Sequence, residues 1–163
     1  MEKNQKRVRF IVHSAAIAAL YVVLTFLANA LGLASGAIQV RISEALVAFL
    51  FFSPAAIPGL TIGCLLANIV TGCALWDVIF GTIATFIGAI LGYSLKKYKY
   101  AVVVPNIISN TLIVPFVLMF VYNLSGAWWY FALTVGIGEI ISCAIFGTVL
   151  LKALEKRGKL IFK

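Results

Sequence analysis

Four long apolar runs constrain the fold of this chain more than any other feature. They cover Val8–Leu31, Ala74–Leu95, Ala101–Tyr122 and Trp128–Leu151. A helix of about 20 apolar residues crosses a hydrocarbon core of about 30 Å, so each run is long enough to span a membrane. Hydrophobic residues make up 63% of the 163 residues and charged residues 11%, whereas soluble domains have about 45–50% and about 25%. The sequence therefore predicts an all-α membrane protein with a single integral membrane domain, residues 1–163.

A fifth apolar region, from Arg41 to Thr71, is interrupted by Pro54 and Pro58. Proline removes a backbone donor and disfavours helix in the residue before it. The region is therefore either one kinked helix or two helices joined by a turn. With two helices, the predicted segments are 8–31, 41–52, 55–71, 74–95, 101–122 and 128–152. The second of these is about 18 Å long, which is too short to span a membrane comfortably.

The distribution of basic residues decides between these possibilities. Twelve of the thirteen fall into three clusters: Lys3, Lys6, Arg7 and Arg9; Lys96, Lys97 and Lys99; Lys152, Lys156, Arg157, Lys159 and Lys163. Six crossings bring all three clusters to one side, in agreement with the positive-inside rule, whereas five do not. The sequence therefore predicts six transmembrane helices with both termini in the cytoplasm. Because the basic residues lie at helix ends, the net charge of +8 does not indicate nucleic-acid binding.

Outside the clusters and the acidic residues beside them, the charged residues are Arg41, Glu44, Asp77 and Glu139. In the predicted topology all four lie in the outer half of the membrane, where an ionised side chain is costly and usually has a partner or a function. Arg41 and Glu44 are three residues apart and could simply pair on one helix face. Asp77 could be an interfacial anchor, and Glu139 could be protonated and bonded to a neighbouring helix.

Polar and aromatic residues accompany these charges at the predicted outer side. Asn68 lies near the outer end of the third helix, and Trp76 precedes Asp77. An aromatic belt accounts for the tryptophans, but with the charges they also predict a pocket for a flat, polar ligand rich in hydrogen-bond donors. The candidate substrate-binding residues are Arg41, Glu44, Asn68, Trp76, Asp77 and Glu139.

Small residues form two stripes at helical spacing. Ala15 and Ala19 are four residues apart on the first helix, and the fourth helix carries Gly81, Ala84, Gly88 and Gly92. Such stripes let helix backbones approach closely. They indicate either packing within one bundle or a seam for a second membrane protein.

The sequence lacks the motifs that are typical of nucleotide hydrolysis, of nucleophilic catalysis and of metal binding. The sequence contains no G-x-x-x-x-G-K-[ST] phosphate loop. No catalytic triad or cluster with metal-ligand spacing is evident, and Cys64, Cys73 and Cys143 are interpreted as packing residues. We therefore expect no catalytic residues, no resident metal or cofactor and no enzymatic activity of the chain itself.

The motifs resemble a known family. The stretches "VRISEAL", "SPAAIPGLTIGCLLANIVTG" and "LWDVIFGTIAT" are similar to those of QueT-type queuosine-precursor transporters, and so is "GIGEIISCAIFG" in the last helix. Members of this family are substrate-binding S components of energy-coupling factor (ECF) transporters. The resemblance covers nearly the whole chain and is densest between Val40 and Thr85.

The resemblance implies a six-helix S-component fold in the cell membrane, with a substrate site that faces outside in the resting state. It implies docking through Ala15 and Ala19 onto a shared transmembrane subunit that is carried by two ATPase subunits. The implied substrate is a 7-deazaguanine such as preQ1 or preQ0, or queuine.

The residue chemistry suggests roles toward such a substrate. Glu44 or Glu139 would accept from the N–H donors of the ring edge, and Asp77 would meet an amine. Trp76 would stack on the ring, while Asn68 or Arg41 would meet the ring oxygen.

Two other functions compete with this hypothesis. The chain could be a small proton-coupled multidrug or ion carrier with Glu139 as its titrating group, or a membrane scaffold whose small-residue faces are its purpose. Uptake that needs an ATPase module would indicate the S component, and uptake driven by a proton gradient alone would indicate the carrier.

Overall fold

The computed structural model describes residues 2–33 and 39–155, and this part of the chain is helical without strands. The long helices are α1 (Glu2–Ala30), α2 (Ala56–Val70), α3 (Leu75–Ser94) and α4 (Val104–Phe120), which follows a 3₁₀ turn at Ala101–Val103. A 3₁₀-helix at Ile42–Phe51, called the short helix below, lies between α1 and α2. The last rod consists of α5 (Trp128–Glu139), a π-helical segment (Ile140–Phe146) and α6 (Gly147–Leu154).

Helices occupy all six predicted ranges, so the prediction of an all-α protein is confirmed. The first helix begins at Glu2 rather than Val8, because the Glu, Lys, Gln and Arg residues before the apolar run favour helix. Four described segments are long and apolar enough to cross a membrane, namely Lys3–Ala30, Leu75–Ser94, Ala101–Phe120 and Trp128–Leu154. The short helix and α2 are shorter, so six crossings and the cytoplasmic termini remain predictions.

The short helix forms the centre of the core. Every residue from Ser43 to Leu50 is buried, and the helix packs against α1, the π-helical segment and α6. A helix that is apolar on all sides is stable only when other helices surround it. This position in the core accounts for an apolar helix of only ten residues.

The two prolines separate the short helix from α2, as predicted from the sequence. Pro54 lies in the turn, where the Ile57 N–H donates to its carbonyl over 3.1 Å. Pro58 lies in the first turn of α2, where a missing N–H costs little. The hydroxyl of Ser14 on α1 lies 3.0 Å from the Ala55 carbonyl and holds this turn against α1.

The glycine stripe on α3 packs inside the bundle. A Cβ placed on Gly88 would lie 2.6 Å from the Asn106 Cα, and one on Gly92 would lie 3.0 Å from a methyl of Leu50. α3 therefore lies close to α4 at Gly88 and close to the short helix at Gly92. Of the two interpretations of this stripe, the structure supports packing within one bundle.

One exposed ion pair joins two of the basic regions. Lys99, after α3, pairs with Glu155 at the end of α6 over 2.7 Å, and the Glu155 hydrogen bond raises the pKa of Lys99. The second basic cluster therefore lies beside the end of the last helix. The rest of the third cluster, Lys156, Arg157, Lys159 and Lys163, lies outside the described residues.

Candidate functional site

A cavity of about 430 Å³ opens where α1, α2 and α4 end and α3 begins. Its lining residues are Thr25, Ala28, Asn29, Gln39, Arg41, Asn68, Thr71, Gly72, Cys73, Asp77, Val114, Leu118, Tyr122 and Leu124. Ligand sites for small molecules typically have volumes of about 300–1,000 Å³ with a few convergent polar groups. This space, called the main cavity below, has the size and polarity of such a site.

Arg41 reaches the main cavity from the extended segment before the short helix. Its backbone N–H donates to the Ser142 hydroxyl of the π-helical segment over 3.1 Å. Gly138 allows this approach, because a Cβ there would collide with the carbonyl of Gln39. Within residues 2–33 and 39–155, no carboxylate lies within 4.0 Å of the guanidinium. The hypothesis of an Arg41–Glu44 ion pair is therefore not supported, and the cation remains available to a ligand.

Asp77 supplies a carboxylate to the wall of the main cavity. It is 6% exposed and lies in the first turn of α3, where the helix dipole favours a negative charge. Its Oδ2 accepts a hydrogen bond of 2.9 Å from the Tyr122 hydroxyl. The Tyr122 oxygen accepts in turn from the Ala74 N–H over 3.3 Å.

Asn68 lines the same cavity from α2, where it is 4% exposed. Its amide nitrogen lies 3.6 Å from the Cys64 sulfur. Gly81 on α3 leaves room for this side chain, because a Cβ there would be 3.2 Å from the Asn68 nitrogen. The structure thus brings together Arg41, Asn68 and Asp77, three of the six residues predicted from the sequence.

Glu44 lies in the core and does not line the main cavity. The Tyr21 hydroxyl donates to one of its carboxylate oxygens, and the Asn106 amide donates to the other over 2.8 Å. The side chain is fully buried, and both of its oxygens already have donors. This geometry does not support the hypothesis that Glu44 meets the ring edge of a ligand.

Glu139 borders a separate space of only about 10 Å³, which it shares with Arg41, Gln39, Val114 and Val135. Its carboxylate lies 3.3 Å from the Cys143 sulfur. Although the two glutamates are far apart in sequence, ligand atoms of Glu44, Glu139 and Cys143 lie within 4.8 Å of one another. Among the described residues, these three could together hold a metal ion. However, Glu44 already accepts hydrogen bonds from Tyr21 and Asn106, so it belongs to a hydrogen-bond network of the core.

Trp76 is 55% exposed and stacks on Phe80 of the next turn, with ring centroids 5.9 Å apart. It does not line the main cavity, so this orientation does not support stacking on a ligand there. An exposed indole near a helix end is typical of an interfacial aromatic belt.

Sequence reasoning missed several residues of the main cavity, above all Tyr122, Asn29, Gln39 and Cys73. These four residues have polar side chains and lie at the same predicted helix ends as Arg41 and Asp77. That position in the sequence could have identified them as cavity residues. Cys73, interpreted as a packing residue, lies partly exposed on the cavity wall, whereas Cys64 and Cys143 are buried.

The helices and the main cavity define a class of protein: a multi-pass membrane protein with a polar, ligand-sized site at one end of its bundle. The family model described as QueT transporter matches residues 11–156. The chain therefore belongs to the QueT transporter family, as its motifs predicted.

One curated relative extends this comparison. The chain is 40% identical over 83 residues to the queuosine precursor transporter QueT of Lactococcus lactis subsp. cremoris (strain MG1363). The match covers 50% of this chain and 48% of the relative. No solved structure matches the chain.

Proposed function

We propose that this protein is the substrate-binding membrane subunit of an ECF-type importer and that it takes up a 7-deazaguanine precursor of queuosine. Candidate substrates are preQ1, preQ0 and queuine. One observation carries this proposal: in a member of the QueT family, the cation of Arg41 and the carboxylate of Asp77, which Tyr122 hydrogen-bonds, line one ligand-sized cavity.

Recognition of the base would follow from donor and acceptor types. The ring edge of a deazaguanine presents adjacent N–H donors, which suit the carboxylate of Asp77. The ring oxygen suits the guanidinium of Arg41 or the amide of Asn68, both of which line the cavity. We therefore assign the ring edge to Asp77 rather than to Glu44, because Glu44 is enclosed by Tyr21 and Asn106.

Transport would depend on partner subunits. Ala15 and Ala19 are both exposed on the outer face of α1, between larger exposed side chains such as Ile11 and Val23. A small-residue face of this kind permits close helix contact in a membrane. We propose that it docks onto a shared transmembrane subunit and that two ATPase subunits hydrolyse the ATP.

We also propose six crossings of the cell membrane, with both termini in the cytoplasm and the main cavity open to the outside at rest. The basic clusters support this orientation through the positive-inside rule. A C-terminal tag that is accessible only from the outside would contradict it.

A binding experiment with purified protein tests the proposed substrate class. We expect Asp77→Asn to weaken binding of preQ1 by about tenfold to a hundredfold, because a charge-assisted hydrogen bond contributes about 1.5–3 kcal/mol. Trp76→Phe, at the neighbouring residue that does not line the cavity, is the matched control and should leave the affinity unchanged. Calorimetric titration measures both; equal affinities of Asp77→Asn and wild type would remove Asp77 from the site.

Uptake assays separate this proposal from its alternatives. Membership of a transporter family favours transport over a scaffold role. Accumulation of a deazaguanine that requires the ATPase module supports the ECF-type importer. Accumulation that a proton gradient drives without the module would support a carrier that uses Glu139.

A further inference from the structure

A second space adjoins the main cavity. It has a volume of about 130 Å³, and the two spaces share three lining residues: Gln39, Leu118 and Leu124. We call this second space the side chamber. Because they share a wall, a ligand that fills the main cavity could extend a substituent into the side chamber.

The side chamber differs from the main cavity in chemistry. Its remaining lining residues are Tyr130, Phe131, Thr134 and Val135, all on α5. Its polar groups are the Gln39 amide and the hydroxyls of Tyr130 and Thr134, and the Thr134 hydroxyl already donates to the Phe131 carbonyl over 3.1 Å. No charged residue lines it among residues 2–33 and 39–155, whereas Arg41 and Asp77 line the main cavity.

From this contrast we infer that the side chamber is a specificity subsite for a compact, largely apolar substituent on the base. The inference rests on the proposed function, because the base itself occupies the main cavity. Polar groups of the base would meet Asp77, Asn68 and Arg41, and the substituent would extend toward the residues that line both spaces. A volume of about 130 Å³ is large enough for a small ring.

Thr134 provides the means to test the subsite. It lines the side chamber and not the main cavity, and it is 8% exposed. Thr134→Leu introduces a larger side chain and so reduces the free space of the side chamber. Thr134→Val removes the hydroxyl while nearly keeping the volume, so it is the matched control for loss of the hydrogen bond to Phe131.

Two probes are titrated into each purified protein, namely 7-aminomethyl-7-deazaguanine and its N-cyclopentyl derivative. We expect Thr134→Leu to weaken binding of the cyclopentyl probe by about tenfold or more, because one methylene of misfit in an apolar pocket changes affinity by about 10–200-fold. Binding of the unsubstituted probe should change by less than about twofold in the same variant, and Thr134→Val should bind both probes like wild type.

Three results would overturn the inference. Thr134→Leu could bind the cyclopentyl probe like wild type, or it could lose both probes equally, or the wild-type protein could bind the aminomethyl probe and reject the cyclopentyl probe. If neither probe binds the wild-type protein, the proposed substrate class fails and the subsite falls with it.

Discussion

At the scale of single residues, the acidic side chains have the same kind of functional group but different surroundings. Asp77 is hydrogen-bonded by Tyr122 on one oxygen and faces the main cavity. Glu44 receives donors on both oxygens and is fully buried. A carboxylate that is buried in the core and does not border the cavity is out of reach of a ligand in that cavity. We therefore expect Asp77 to affect ligand affinity and Glu44 to affect stability.

The Tyr21–Glu44 hydrogen bond gives a stability prediction. Tyr21→Phe removes the hydroxyl and leaves one oxygen of a buried carboxylate without its donor, which should lower the free energy of unfolding by about 1–3 kcal/mol. Thermal unfolding of the detergent-solubilised protein measures the change. Tyr98→Phe, at a side chain that is 62% exposed, is the control and should unfold like wild type. The network assignment is wrong if both variants unfold at the wild-type temperature.

At the scale of helices, close approach at glycines determines how α3 meets α4. A Cβ on Gly88 would overlap the Asn106 backbone, and Asn106 also donates to Glu44. The packing of this helix pair therefore helps to position the polar network of the core. Gly136 on α5 is different, because a Cβ there would come no closer than 3.4 Å to Thr111.

This difference predicts opposite effects of one substitution at two helical glycines. Alanine favours helix over glycine by about 1 kcal/mol, so Gly136→Ala should leave stability unchanged or raise it. At Gly88 overpacking should exceed that gain, and Gly88→Ala should destabilise the protein by about 1–3 kcal/mol. Thermal unfolding of both variants under the same conditions provides the comparison. Equal unfolding temperatures would contradict the close α3–α4 contact.

At the scale of the whole molecule, the candidate ligand site and the proposed docking face lie on different parts of the bundle. The main cavity lies at the end where α3 begins, whereas Ala15 and Ala19 lie on the outer side of α1 and do not line it. Ligand binding and partner docking should therefore be separable by mutation.

Ala19→Trp tests this separation. A large side chain on a small-residue face should prevent close helix contact, so we expect loss of co-purification with the transmembrane and ATPase subunits. Affinity for a deazaguanine should remain unchanged. Leu112→Trp, at a side chain of α4 that is 51% exposed, controls for a bulky residue on the lipid-facing surface. Co-purification of Ala19→Trp at the wild-type level would exclude this part of α1 from the interface.

Much of the architecture follows from the sequence alone. Apolar runs of 20 residues or more predict helices in lipid, and Pro54 and Pro58 separate the short helix from α2. The isolated positions of Arg41, Asn68 and Asp77 in the sequence indicated three residues that line one cavity. Residue type and position in the chain are enough to predict these features. In a bilayer, a charged side chain or a backbone polar group without a hydrogen bond is costly however the helices pack.

The tertiary structure alone decides which way each side chain faces. Glu44 turns into the core, Glu139 borders a small space beside Arg41, and Trp76 faces outward onto Phe80. In a helix that is apolar on all sides, the sequence carries almost no periodicity to distinguish the face toward a cavity from the face toward a neighbour. The rotation of each helix is determined instead by contacts between elements, such as Gly88 against Asn106 and Tyr21 against Glu44.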